Sequence, residues 1–194
     1  MKSTRNAKLV GVALVASTLG LAGAVGAGAA QVAHPTSTAA VQMHAKTTAV
    51  AFSGSYKGTM ALLWSSSAVT VTSLTGTGTS SKLGRATLKG TGTSSPSSTC
   101  DPFSGSGTIS SAKGKLVFRV VSSSKQQACA AGDAAPTSVT VKGVATVTSG
   151  TGVYAGAKGT LTLKGAFSIQ STTAGSSETD SFTASLTGRL TVKG

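Results

Sequence analysis

Two cysteines and four carboxylates carry most of the chemistry this chain could offer: Cys100, Cys129, Asp101, Asp133, Glu178 and Asp180. Both histidines, His34 and His44, lie far upstream of them. A serine triad needs an imidazole to accept the serine proton, and a structural zinc site needs His and Cys at ligand spacing. Neither can be built after residue 44. The two histidines read as incidental members of a polar tail, with weak metal binding as the alternative. A nucleophilic thiolate would lack a base to activate it. Cys100 and Cys129 are therefore expected to pair with each other. Both stand in loop-like sequence flanking an expected hairpin, so a bridge would join the loop before the hairpin to the loop after it. Closing about 30 residues in this way should stabilise the fold by about 3–4 kcal/mol.

The carboxylates are harder to use. Glu178 and Asp180 would share one face of a strand, an arrangement suited to glycoside chemistry or to calcium. Their setting, Ala174-Gly175-Ser176-Ser177-Glu178-Thr179-Asp180-Ser181, reads more simply as a solvated turn. Asp101 and Asp133 each follow a cysteine and would approach each other across a bridge. The Gly-x-Gly pairs Gly76/Gly78, Gly90/Gly92, Gly105/Gly107 and Gly150/Gly152 precede no helix that could offer its N-terminus to phosphate. They read as bulges and turns. No catalytic residue, metal ligand or cofactor site is expected.

Stepping along the chain, residues 1–8 are basic and Leu9 to about Ala24 are apolar, followed by small residues with an A-x-A site at Ala27-Gly28-Ala29. These are the three parts of a secretory signal peptide over residues 1–29, cleaved after Ala29 or Ala30. The glycine-diluted core and the lack of a following basic cluster argue against a membrane anchor. Secretion would place the cysteines in an oxidising compartment. Residues 30–49 lack periodicity and read as a flexible linker.

From residue 50 to 194 apolar residues alternate with Thr, Ser and Lys, as in Leu161-Thr162-Leu163-Lys164 and Leu190-Thr191-Val192-Lys193. Period two predicts a sheet with one dry and one wet face. About eight strands are expected, near 52–63, 67–77, 84–93, 104–111, 115–123, 137–148, 158–170 and 179–193. A meander of that number removes its edges by closing into an antiparallel barrel. Lys89, Lys142, Lys164 and Lys193 should face water, and on this register the charged residues point outward. A membrane barrel would need an apolar outer band and aromatic girdles, which Thr, Ser and Lys do not supply.

The 194 residues carry 17 basic and four acidic side chains. Three of the basic ones, Lys2, Arg5 and Lys8, fall in the leader, so 14 against four leaves +10 on the exported part. Such a charge favours solubility or an anionic envelope polymer. Aromatics make up only 4% of the chain, too few for the stacking that specific nucleic-acid binding uses.

The segment Gly150-Thr151-Gly152-Val153-Tyr154-Ala155-Gly156-Ala157-Lys158-Gly159 resembles the G-T-G-x-[YF]-x-G-A-x-G signature of the allene oxide cyclase and dirigent-like barrels. The resemblance implies an eight-stranded barrel, calycin-like in form, with a central apolar cavity, and in plant members often a homotrimer. It places Gly150, Gly152, Tyr154, Gly156 and Gly159 in the shared motif. The acidic and polar residues those enzymes use have no match that can be placed here. The expectation is a secreted, non-catalytic barrel binding a small apolar ligand or an anionic envelope polymer. The alternative is a cyclase or dirigent-type isomerase that acts by confining its substrate.

Overall fold

The alternating pattern folds as the period predicts. The computed structural model describes residues 46–194; the expected signal peptide, its expected cleavage site and the expected linker up to residue 45 lie outside the described residues. The strands are β1 (Thr47–Trp64), β2 (Val69–Ser80), β3 (Gly84–Ser94), β4 (Cys100–Ser111), β5 (Gly114–Val120), β6 (Gln127–Ala130), β7 (Thr137–Gly150), β8 (Lys158–Ile169) and β9 (Ser177–Lys193). β1 starts three residues before the expected barrel boundary. Its inward Val50, Phe52, Tyr56, Met60, Leu62 and Trp64 are buried, while Ser53, Ser55 and Lys57 between them are exposed.

All pairings are antiparallel, in the order β3-β2-β1-β9-β8-β7-β5-β4, and β3 pairs β4 to close the ring. The nine strands fill only eight positions. β5 pairs with β4 through Gly105–Ser111, and β6 continues the same position by pairing with Cys100–Pro102. Both also pair with β7. β6 was not expected from the sequence, because residues 121–126 interrupt the alternation and hide its last stretch. The excursion is held by Gln126, which is buried and donates from Nε2 to the Val144 carbonyl at 3.4 Å. Lys89, Lys142, Lys164 and Lys193 are exposed, as the register requires.

One end of the barrel is closed by the Gly150–Gly159 segment. Gly152-Val153-Tyr154 forms a single 3-10 turn, and Gly152 has φ 61°, a left-handed backbone suited to glycine. Thr151 N and Val153 N donate to the Lys115 and Lys113 carbonyls, fastening the turn to the β4–β5 hairpin. This aims Tyr154 into the barrel, where it is fully buried. Its hydroxyl donates to the Ser81 carbonyl at 2.9 Å, and its ring meets Phe52 edge-on at 5.7 Å. Fully buried Ile109, Leu116, Leu161 and Leu186, with Leu190 at 1% exposure, pack the core. Each such side chain contributes roughly 1.5–3 kcal/mol of burial.

Candidate functional site

Toward the opposite end the barrel is hollow. Gly90, Gly92, Gly105 and Gly107 wall the hollow; like Gly76/Gly78 they lie within strands and not in the expected turns. The expected bulge is present on β2 between Val71 and Leu74, opposite Gly92 and Gly90. Gly76, Gly78, Gly90, Gly92, Gly105 and Gly107 occupy inward positions within β2, β3 and β4. Gly90 stands opposite Gly107, and Gly92 opposite Gly105. Where a strand would normally project a side chain into the core, bare backbone is left. Aromatic rings cover some of that backbone. Phe118 lies against Gly107, and Phe182 against Gly76, where a Cβ would fall 2.7 Å from the ring. Glycine allows this stacking of ring on strand.

The resulting chamber has a volume of about 190 Å³. Met60, Leu74, Phe118, Phe167 and Phe182 line it, together with the four glycines of β3 and β4. It shares Val69, Ser94, Ala128 and Phe167 with a wider mouth of about 590 Å³. The mouth is more polar: Ser65, Ser66, Ser67, Thr99, Asp101 and Asp133 line it beside Trp64 and Ile169. The pair forms an apolar pocket reached through a hydrophilic vestibule.

Cys100 and Cys129 form a disulfide at this rim. They are not in loops, as the sequence suggested; they stand directly opposite each other on β4 and β6. Their neighbours Thr99, Asp101, Ala128 and Ala130 line the mouth, so the bridge braces its wall. Asp101 and Asp133 share the mouth, but the Asp101 carboxylate is occupied locally. Burial pushes that carboxyl up, and hydrogen bonds from the backbone and hydroxyls of Ser97 and Ser98 outweigh burial to leave it below its ordinary value.

Glu178 and Asp180 require a second correction. They lie within β9, not in a solvated turn, and point inward opposite Leu62 and Met60. The register places two carboxylates inside the barrel, so not every charge faces out. Glu178 is fully engaged in structure: Oε1 accepts from Trp64 Nε1 at 3.0 Å, and Oε2 from Gln170 N at 2.7 Å and Ser171 N at 3.2 Å. It ties the β8–β9 loop to the end of β1. Asp180 is 8% exposed, and its Oδ2 is buried without a hydrogen-bond partner. Burial pushes its carboxyl above the ordinary value, and the neighbouring Glu178 adds to the rise. Neither carboxylate is among the residues lining the chamber.

A raised carboxyl pKa in the folded state has a definite sign. Below the ordinary aspartate value, about pH 3.9, folded and unfolded chains both hold the proton. Above it the unfolded chain ionises first, and folding loses stability. Asp180→Asn should therefore raise the melting temperature at pH 7 more than at about pH 3. Thermal unfolding at both pH values checks this; an equal shift at both would refute it.

The motif residues Gly150, Gly152, Tyr154, Gly156 and Gly159 all sit at the closed end, across the barrel from the mouth, and none lines the chamber. Fold and site together define a closed antiparallel barrel with one packed end and one hollow end. No family model, curated protein or solved structure matches this chain. Among the described residues, no three His, Cys, Asp or Glu side chains gather where a metal could bind.

Proposed function

We propose that this chain is an exported barrel that holds a small apolar molecule in its hollow end. The observation that supports this is the glycine-walled chamber of about 190 Å³, which adjoins a polar mouth. An apolar cavity of about 150 Å³ is already large enough to take a benzene-sized guest and stay otherwise dry. Pockets for small ligands have this composition: apolar walls and a few polar groups at one side. A ligand with one ring and a short alkyl tail, burying on the order of 250 Å², would gain about 6 kcal/mol. Native mass spectrometry of protein recovered from its own secretion medium tests the reading. A retained small molecule, lost when the mouth is denatured, is the expected result; bare protein that also fails to take up alkylbenzenes would sink it.

A second reading keeps the alternative of a confinement enzyme, kin to the allene oxide cyclase and dirigent-like barrels. What favours it is Asp180, a buried inward carboxyl with a free oxygen. What ranks it second is that neither Asp180 nor Glu178 reaches the chamber wall.

A further inference from the structure

The charges of the barrel are sorted by location. Asp101, Glu178 and Asp180 occupy inward positions at the open end, and Asp133 lies in the loop between β6 and β7 at the mouth. Among the described residues, no carboxylate is left on the outer wall. The wall carries lysines and arginines, and two of them stand directly opposite each other: Lys142 on β7 faces Lys164 on β8, both exposed. Like charges at directly opposed positions destabilise a sheet by some tenths of a kcal/mol, roughly. Nothing on the wall offsets that cost.

Beside this pair a shallow groove of about 600 Å³ crosses β2, β1, β9 and β8. Its rim holds Lys57 and Lys164, and the hydroxyls of Ser55, Thr77, Thr79 and Thr183 line it. At the far side Arg85 on β3 stands opposite Thr79. Lys142, Lys164, Lys57 and Arg85 thus form a belt across six of the eight strand positions, roughly 24 Å measured along the curved wall at the usual strand spacing and wrapping more than half of the barrel. The eight aromatic side chains all lie on the inner side; Tyr56 borders the groove but is only 3% exposed, so its ring offers no face on which a base or sugar could stack.

We propose that this belt docks a linear, base-free polyanion built on phosphate groups, running across the strands. Lysines bind phosphate as point charges, and the hydroxyls between them donate to the remaining oxygens. The absence of an aromatic platform disfavours single-stranded nucleic acid, whose binding draws on stacking as well as charge. The wall groove shares Gly165, Thr183 and Ala184 with the chamber lining, but none of the four belt cations lines the chamber.

The test is binding of long-chain inorganic polyphosphate by the full chain across a salt series. Two charge-removal variants are compared, Lys142→Gln/Lys164→Gln in the belt and Lys113→Gln/Lys115→Gln at the closed end. Losing two phosphate contacts should reduce the slope of log K against log salt by about 1.4 and weaken binding roughly 25-fold at 0.1 M salt. The closed-end pair should change affinity less than threefold, and melting temperatures should confirm that both variants fold. Equal weakening by the two variants would reduce the belt to net charge alone and overturn the proposal. So would an absence of saturable binding, or tighter binding of an oligothymidylate than of polyphosphate.

Discussion

Tyr154→Ala should destabilise the barrel by about 4 kcal/mol, the range for emptying a fully buried aromatic site. Tyr154 is the largest fully buried side chain, and it plugs the packed end of the barrel. The substitution removes ring packing against Phe52 and the hydroxyl bond to the Ser81 carbonyl together. Tyr154→Phe separates the two effects, because it loses only the hydrogen bond, worth about 1 kcal/mol. Since small domains are held by about 5–15 kcal/mol in all, the alanine variant should unfold at much lower denaturant. If alanine were no worse than phenylalanine, the motif would not be serving as a plug. The chamber should survive Tyr154→Phe unchanged, because Tyr154 is not among its lining residues.

The second large effect belongs to the other end. Replacing both Cys100 and Cys129 by serine should cost about 3–4 kcal/mol, from the unfolded-state entropy of a loop spanning 29 positions. The consequence should also be local. β6 has four residues and is held by β4, β7 and the bridge. Without the bridge, amide exchange should accelerate in β6 and at the start of β4 before it does in β1 or β9. A loss below about 1 kcal/mol, or acceleration spread evenly over the barrel, would show that the bridge does not brace the mouth.

Much of this architecture was legible as alternation. Runs such as Leu161-Thr162-Leu163-Lys164 fixed both the period and the face, and strand positions followed to within a few residues. β6 escaped because the excursion at 121–126 breaks the alternation, and a four-residue strand has too few positions to show a period. The hollow was also written in the sequence, though in a form easily taken for turns. In Thr75-Gly76-Thr77-Gly78-Thr79 the Thr alternation never stops; glycine replaces the apolar partner on the inward face. The same substitution recurs in Lys89-Gly90-Thr91-Gly92-Thr93 and marks the missing core. The inward placement of Glu178 and Asp180 is hidden in the sequence because a polar, serine-rich flank signals solvent locally. Strand pairing with β1, a contact distant in sequence, turns them inward. The wall belt is likewise invisible in one dimension, since Lys142 and Lys164 meet only through the β7–β8 register.

The central claim is that the hollow end is a binding chamber, and a titration with n-butylbenzene tests it most directly. Trp64 is the only tryptophan of the chain and lines the mouth, so its fluorescence reports occupancy. Ala184 lines the chamber on β9, and Ala184→Leu would fill part of it. One saturable site is expected in the wild-type chain. In the variant, binding should be at least tenfold weaker, roughly, while stability rises by about 1 kcal/mol as the void is filled. No saturable change in the wild-type chain, or equal affinity in the filled variant, would contradict it.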